Sequence, residues 1–168
     1  MEFSSSSVMA YILYKGTRAG HSISKTQAQK LLYCCYGIVL AAFDERLTDE
    51  HPKAWPGGPV FPRALSDING RRLTTGMAEF PRALSDIDGR RLTTGMAERF
   101  IDSCPADWLK LMDKTLDRFW GYSATALETW SQRKGTPWDK ADPLASLDDR
   151  EIQKYFQQFV PIIQGATA

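Results

Sequence analysis

No stretch of this sequence stays apolar for long enough to cross a bilayer. The longest apolar run, Leu31 to Phe43, covers 13 residues, against the roughly 20 that a membrane-spanning helix needs. It reads as a buried core helix, and no membrane partner is expected. Cysteine is scarce and unsuited to a disulfide framework: Cys34, Cys35 and Cys104 are odd in number, and two are adjacent within the apolar run. They read as small buried residues in a reducing compartment, most simply the cytoplasm. Histidine is scarcer still. His21 and His51 lie in polar, loop-like stretches, neither with Cys, Asp or Glu at a recognisable ligand spacing. No metal or other cofactor is expected, and His51, beside Asp49 and Glu50, reads as a solvated surface residue.

A dominant charge is also missing. Lys and Arg number 21 and Asp and Glu 20, a formal net charge of +1. This near-balance argues against a dedicated nucleic-acid binder, which needs a basic face to hold phosphates. The sequence has no phosphate-binding loop ending in Lys-Ser/Thr, no GxGxxG after a strand and no GxSxG elbow. A Cys-His pair would have to recruit Cys34 or Cys35 from an apolar helix, where the thiolate is disfavoured. With no starting constellation for catalysis, the chain reads as a binding protein, not an enzyme.

What is present is helical periodicity. The 168 residues suit one domain able to bury a core without staples. Residues 1–7, with four serines and no basic stretch leading into an apolar one, read as a flexible leader and not a secretory signal. Val8 to Lys15 is a short helix candidate ended by Gly16 or Gly20. Ser24 can cap a helix from Lys25 to Phe43 whose second half is apolar on nearly every face, as in the central helix of a bundle. Gly37 within it costs helix stability but allows close packing. Pro105 suits a first helical position, with a helix to about Trp120 stopped by Gly121. Ser123 caps a stretch through Trp130, and Asp148 with Glu151 makes a capping-box-like start. Ile152, Tyr155, Phe156, Phe159 and Val160 continue at helical spacing, ended by Pro161, so 161–168 reads as a tail. The expectation is a mainly α fold of five or six helices, with short extended segments only near the repeat described next.

Phe61 to Glu79 and Phe80 to Glu98 are tandem copies of 19 residues that differ only at Asn69 and Asp88. Solenoid repeats drift apart and need about three copies to stack a core, so two near-identical copies indicate a recent duplication. Each has a Pro at a helix start, an ALSDI segment and an Asn-Gly or Asp-Gly turn. The first copy is expected to be an insertion that the fold does not need.

Just before it, Trp55 to Pro62 holds three prolines and two glycines in eight residues, which forbids a regular helix. It reads as a rigid turn packing Trp55 on the core, or as a recognition loop, and a loop held rigid on a scaffold can be both. Thr136-Pro137-Trp138 reads as a turn anchored by a buried Trp. Arg71-Arg72 and Arg90-Arg91 could meet an acidic partner or RNA, but acidic residues offset them in each copy, as in solvated turns.

Taken in order, Lys30 to Tyr33 (KLLY), Trp55 to Pro62 (WPGGPVFP), Thr136 to Trp138 (TPW) and Ile152 to Phe156 (IQKYF) resemble the motifs of the Panacea, or SocA-like and GepA-like, antitoxin domain family. The resemblance spans about residues 8 to 160. It departs from the family in the second 19-residue copy and in Gly57, where an aromatic or charged residue is common. It implies an antitoxin, of bacterial or phage origin, that neutralises a cognate toxin, often one that blocks translation, by direct protein–protein binding. One branch of the family acts instead as an adaptor delivering its toxin to a cellular protease, and a phage-encoded binder of a host protein is a further alternative. The candidate toxin-binding surface is the loop and the duplicated segment: Trp55, Pro56, Gly58, Val60, Phe61, Arg63, Arg71, Arg72, Arg90 and Arg91. The duplication is expected to reshape this surface and change which partner is accepted.

Overall fold

A computed structural model describes residues 2–69 and 92–165. Helix α1 spans Ser5–Arg18, longer at both ends than its apolar stretch suggests. Ser4 caps it, its side chain accepting from the Ser7 N–H at 3.2 Å. Ser5 and Ser6 are buried; Ser5 Oγ donates to Glu50 at 2.6 Å and Ser6 Oγ to Asp67. The Phe3 backbone donates to Leu47 and accepts from Asp49, and its ring meets the Phe100 ring edge-on at 4.9 Å. The serine run is therefore a capped helix start, not the flexible leader expected. Hydroxyls that look solvent-seeking in sequence are satisfied here by carboxylates brought from far along the chain.

Helix α2, Lys25–Phe43, has the expected bounds. Ser24 accepts from the Gln27 N–H at 3.1 Å, and the far end closes on Asp44 in the left-handed region, φ +56°. Residues Ala28 to Leu40 are all buried, so α2 is the axis of the domain. Gly37 is where α8 (Asp149–Gln157) comes closest: a Cβ there would stand 2.2 Å from the Phe156 ring.

After α2 the chain forms a small antiparallel hairpin, β1 (Lys53–Trp55) with β2 (Gly58–Val60), in the register Trp55 opposite Gly58. Pro56 and Gly57 make the turn. Gly57 has φ +93°, which with Pro ahead of it is the type II pattern that favours glycine. Helix α3, Pro62–Asn69, follows directly and starts at proline, which lacks only an N–H that the first turn would leave unpaired.

Helix α4 is Thr94–Ser103, capped by Thr93, with Ala97 and Phe100 buried and packed on α1. The core thus takes Phe61, Ala64 and Ile68 from the front of the first copy, and Leu92 and Ala97 from the back of the second. Both copies therefore supply residues to the described core.

Helix α5, Ala106–Phe119, begins one residue later than expected, with Pro105 in the capping position. Then come α6 (Ala124–Ser131), capped by Ser123, and a single turn α7 (Pro137–Lys140), capped by Thr136. Asp148 caps α8 by accepting from the Arg150 N–H at 2.8 Å. Glu151 does not complete a capping box but pairs with Lys140 at 2.9 Å. Helix α8 stops at Gln157, and Pro161 lies in the first turn of a further helix, α9 (Val160–Gln164), whose Ile163 is buried. Proline opens this last element instead of ending the one before, so the chain beyond residue 161 begins as helix and not as a tail. The mainly α expectation holds. The described residues carry nine helices against five or six expected: α7 and α9 are too short to show a period, and α4 begins inside the second copy, where no helix was expected.

Two outcomes follow. Deleting Gly70–Asp88 joins Asn69 to Gly89 and restores a single copy while removing no described core residue. The shortened chain is expected to unfold cooperatively, with a midpoint no lower than that of the full chain in thermal melts. In an ordinary helix Gly→Ala stabilises by about 0.5–1 kcal/mol. Gly37→Ala should do the reverse, because overpacking against Phe156 costs about 1–3 kcal/mol, read as a lower denaturant midpoint at unchanged slope.

Candidate functional site

The first turns of α2 carry Gln29 and Lys30, both 2% exposed. Polar side chains at that depth need partners, and Lys30 and the Gln29 carbonyl find them on the hairpin and just beyond it, while Gln29 Nε2 is buried without one. Lys30 Nζ donates to the Pro59 carbonyl at 3.1 Å, and Gln29 Oε1 accepts from the Phe61 N–H at 2.7 Å. Gly58 lets the hairpin come this near. It has φ +111°, and a Cβ on it would lie 2.6 Å from Ser131 Oγ and 2.8 Å from Lys30 Cε. From the other side, Trp138 Nε1 donates to the Trp55 carbonyl at 2.8 Å.

The outer edge of β1 is held as well. Ala54 donates to Ala145 and accepts from Leu144, both at 2.8 Å, and Leu147 donates to Pro52 at 2.9 Å. The chain around Ser146 thereby lies antiparallel beside Lys53 as a short outer rung. Leu144 stands out on this rung. It is 62% exposed and has φ +67°, a region that costs a branched residue on the order of 1–3 kcal/mol.

The three central motif segments therefore meet in one braced unit: KLLY beneath the hairpin, WPGGPVFP as the hairpin, and TPW clamping its turn end. The fourth joins from below, where Phe156 meets the Tyr33 ring edge-on at 5.3 Å. Of the residues expected to bind a partner, Pro56 and Arg63 are exposed and Trp55 is half-buried. Gly58, Val60 and Phe61 are buried, so they support the surface and do not form it. Their burial follows from the approach to Lys30 and Gln29, which sequence spacing does not reveal. Arg63 Nη1 is paired with Asp49 Oδ2 at 2.8 Å. Arg71, Arg72, Arg90 and Arg91 lie outside the described residues. Leu144 was missed: nothing in its local sequence marks it, and only its φ and its exposure single it out.

Lys30 is electrostatically unusual. Burial pushes its ammonium down from 10.5 to about 8, opposed by the nearby Glu128 carboxylate. Burial likewise raises Cys34 and Cys35 well above the ordinary thiol range, and Cys104 to about 12. These thiols stay protonated, which disfavours nucleophilic use. His51 lies at the surface, its side chain 37% exposed, with Nε2 2.9 Å from Arg46 Nη1 and Nδ1 3.7 Å from Asp149 Oδ1. Among the described residues no group of three or more His, Cys, Asp or Glu side chains could hold a metal ion. No described helix is long and apolar enough to cross a membrane.

In comparison with known proteins, a family model described as antitoxin SocA-like, Panacea domain, matches residues 29–139. The match starts at Gln29 and ends just past Trp138, so it takes in every residue that braces the hairpin from within, while Ile152 to Phe156 lies beyond it. No curated protein and no solved structure matches the chain significantly.

The depressed Lys30 sets a pH dependence. Between pH 8 and 10.5 the unfolded chain holds a proton on Lys30 that the folded chain has released, so this residue makes folding more favourable as pH rises. Lys30→Met lacks that term, whereas the buried thiols and phenols act alike in both proteins. The stability of wild type minus Lys30→Met should therefore increase from pH 7.5 to 10, by up to about 3 kcal/mol at ~1.4 kcal/mol per pKa step. Paired urea titrations across that range would measure it, and a flat difference would contradict a buried, neutralised Lys30.

Proposed function

The chain belongs to the antitoxin SocA-like, Panacea domain family, and from that premise we propose that it is an antitoxin that neutralises a cognate protein toxin by binding it directly. The observation that carries this reading is the braced hairpin. A short turn is held by a buried donor from α2 and a half-buried one from α7, stiffened by a third rung, and tipped with apolar groups that its own core leaves out. Trp55 is half-buried, and Pro56 and Leu144 are exposed. A surface fixed before it meets its partner loses little conformational freedom on binding, and aromatic anchors of this kind dominate interface energies. Arg63 directly follows Pro62, two residues beyond the buried Phe61, and borders the same segment.

This chemistry suits masking a partner. In it the lysine is buried on a carbonyl, and the three cysteines are buried. We read the toxin as one that blocks translation, as the family resemblance implies, and the duplicated 19-residue segment as a determinant of which toxin is accepted.

The test is co-expression with the product of the adjacent reading frame, scoring growth and pull-down together. Growth arrest by that product alone, relief by this chain and recovery of a stable complex are expected. Trp55→Ala with Leu144→Asp should abolish the relief while leaving the chain folded, and the chain lacking Gly70–Asp88 should shift the set of toxins it neutralises. Relief without a complex, lost when the cell's proteases are disabled, would replace masking by adaptor delivery. A neighbour that is harmless alone would remove the antitoxin reading in favour of a binder of some host protein.

A further inference from the structure

On the side of α6 away from the hairpin lies an open apolar groove of about 300 Å³. Its walls are the end of α5, the outer face of α6 and helix α9. Phe119, Trp130 and Phe159 form its floor as a mutually packed aromatic set: Trp130 lies 6.0 Å from Phe119 and 6.2 Å from Phe159, between ring centroids. Tyr122 and Ile162 stand at its lips, 50% and 46% exposed. These are two of the three large hydrophobic side chains that the described residues leave exposed, the third being Leu144. An apolar patch collected in this way marks an interaction site more often than chance exposure does.

The charges around it have one sign. Arg118 and Arg133 are the only charged residues lining the groove. Both are exposed, and neither pairs with a carboxylate among the described residues. Small-molecule sites of this size carry several convergent polar groups that fix an orientation, and here the floor has none. A nucleic-acid groove would need a longer basic track, and the chain's net charge of +1 does not provide one. What fits is a protein segment with large apolar side chains for the floor and carboxylates for the two guanidinium groups.

We infer that this groove is a docking site for an acidic, apolar-anchored segment of the toxin, an inference that rests on the antitoxin reading above. Helix α6 joins the two surfaces. Its Glu128 and Ser131 lie against Gly57 and Gly58 of the hairpin, and its Ala126 and Trp130 line the groove. A partner that spans α6 engages both sides of one rigid helix, which increases the desolvated area without requiring either site to be large.

The test uses the full chain and the purified product of the adjacent reading frame, with affinity measured by calorimetry. Ile162→Asp, Tyr122→Asp and the double variant Arg118→Glu, Arg133→Glu change exposed positions, and unchanged thermal midpoints would show that each folds. Each should weaken binding by roughly tenfold or more, the size of a hot-spot loss, while Lys110→Glu, a charge reversal on the exposed face of α5, should leave it unchanged. The double variant should also lose part of the wild-type salt dependence. If wild type binds and rescues growth but the groove variants bind within about twofold of it, the groove is not the docking site and the antitoxin reading stands. If wild type neither binds nor rescues, both fall. If light scattering shows a dimer that Ile162→Asp splits, the occupant is a second copy of this chain and the assignment to the toxin is wrong.

Discussion

A lysine with almost no exposure to water donates to a backbone carbonyl, and the arrangement of the hairpin depends on that one bond. Lys30 Nζ sits under Pro59, and a buried ammonium is tolerated only where donors and acceptors are matched around it. That requirement draws the hairpin down onto α2. Gly58 is needed because any side chain would collide with Ser131 and Lys30 itself. The next residue down the helix wall, Gln29, takes the Phe61 N–H, and this fixes where α3 begins. Trp138 closes the opposite end through the Trp55 carbonyl. The hairpin has only three residues per strand, and a ribbon that short is not stable alone. It persists because the helical core supplies the partners.

The same helix organises the rest. Because α2 is buried from Ala28 to Leu40, much of the fold is arranged by what leans on it. Helices α1, α5, α6 and α8 each take a side, and Gly37 removes a side chain where Phe156 must enter. The two surfaces proposed for binding lie where this packing ends, at the hairpin tip and at the α5–α6–α9 groove. A single domain can thus present two apolar surfaces on either side of α6.

The tandem copies illustrate how duplication and packing interact. Each copy is self-consistent as local sequence, with a helix-starting proline and a turn signal, and the described core draws on both. It takes Phe61, Ala64 and Ile68 from the first copy and Leu92 and Ala97 from the second. The near-identity of the copies makes this division invisible along the chain.

Helix α2 and its cap, the cap of α6 and the mainly α class were legible from the sequence, because apolar periodicity and capping hydroxyls are local signals that hold whatever surrounds them. The absence of a membrane-spanning run and the unreactive cysteines were legible for the same reason, since length and apolar context are read along the chain. The family was legible too, through four ordered motifs, although each motif by itself says little. The fate of Ser4 to Ser6, the opening of α9 at Pro161, the burial of Gly58, Val60 and Phe61, and the exposure of Leu144 were decided by the tertiary structure alone. Each depends on a partner distant in sequence: Glu50 and Asp67 for the serines, Lys30 and Ser131 for Gly58, Ala54 for Leu144. Composition and spacing carry no record of such distances, because they are set by how helices pack and not by which residues adjoin.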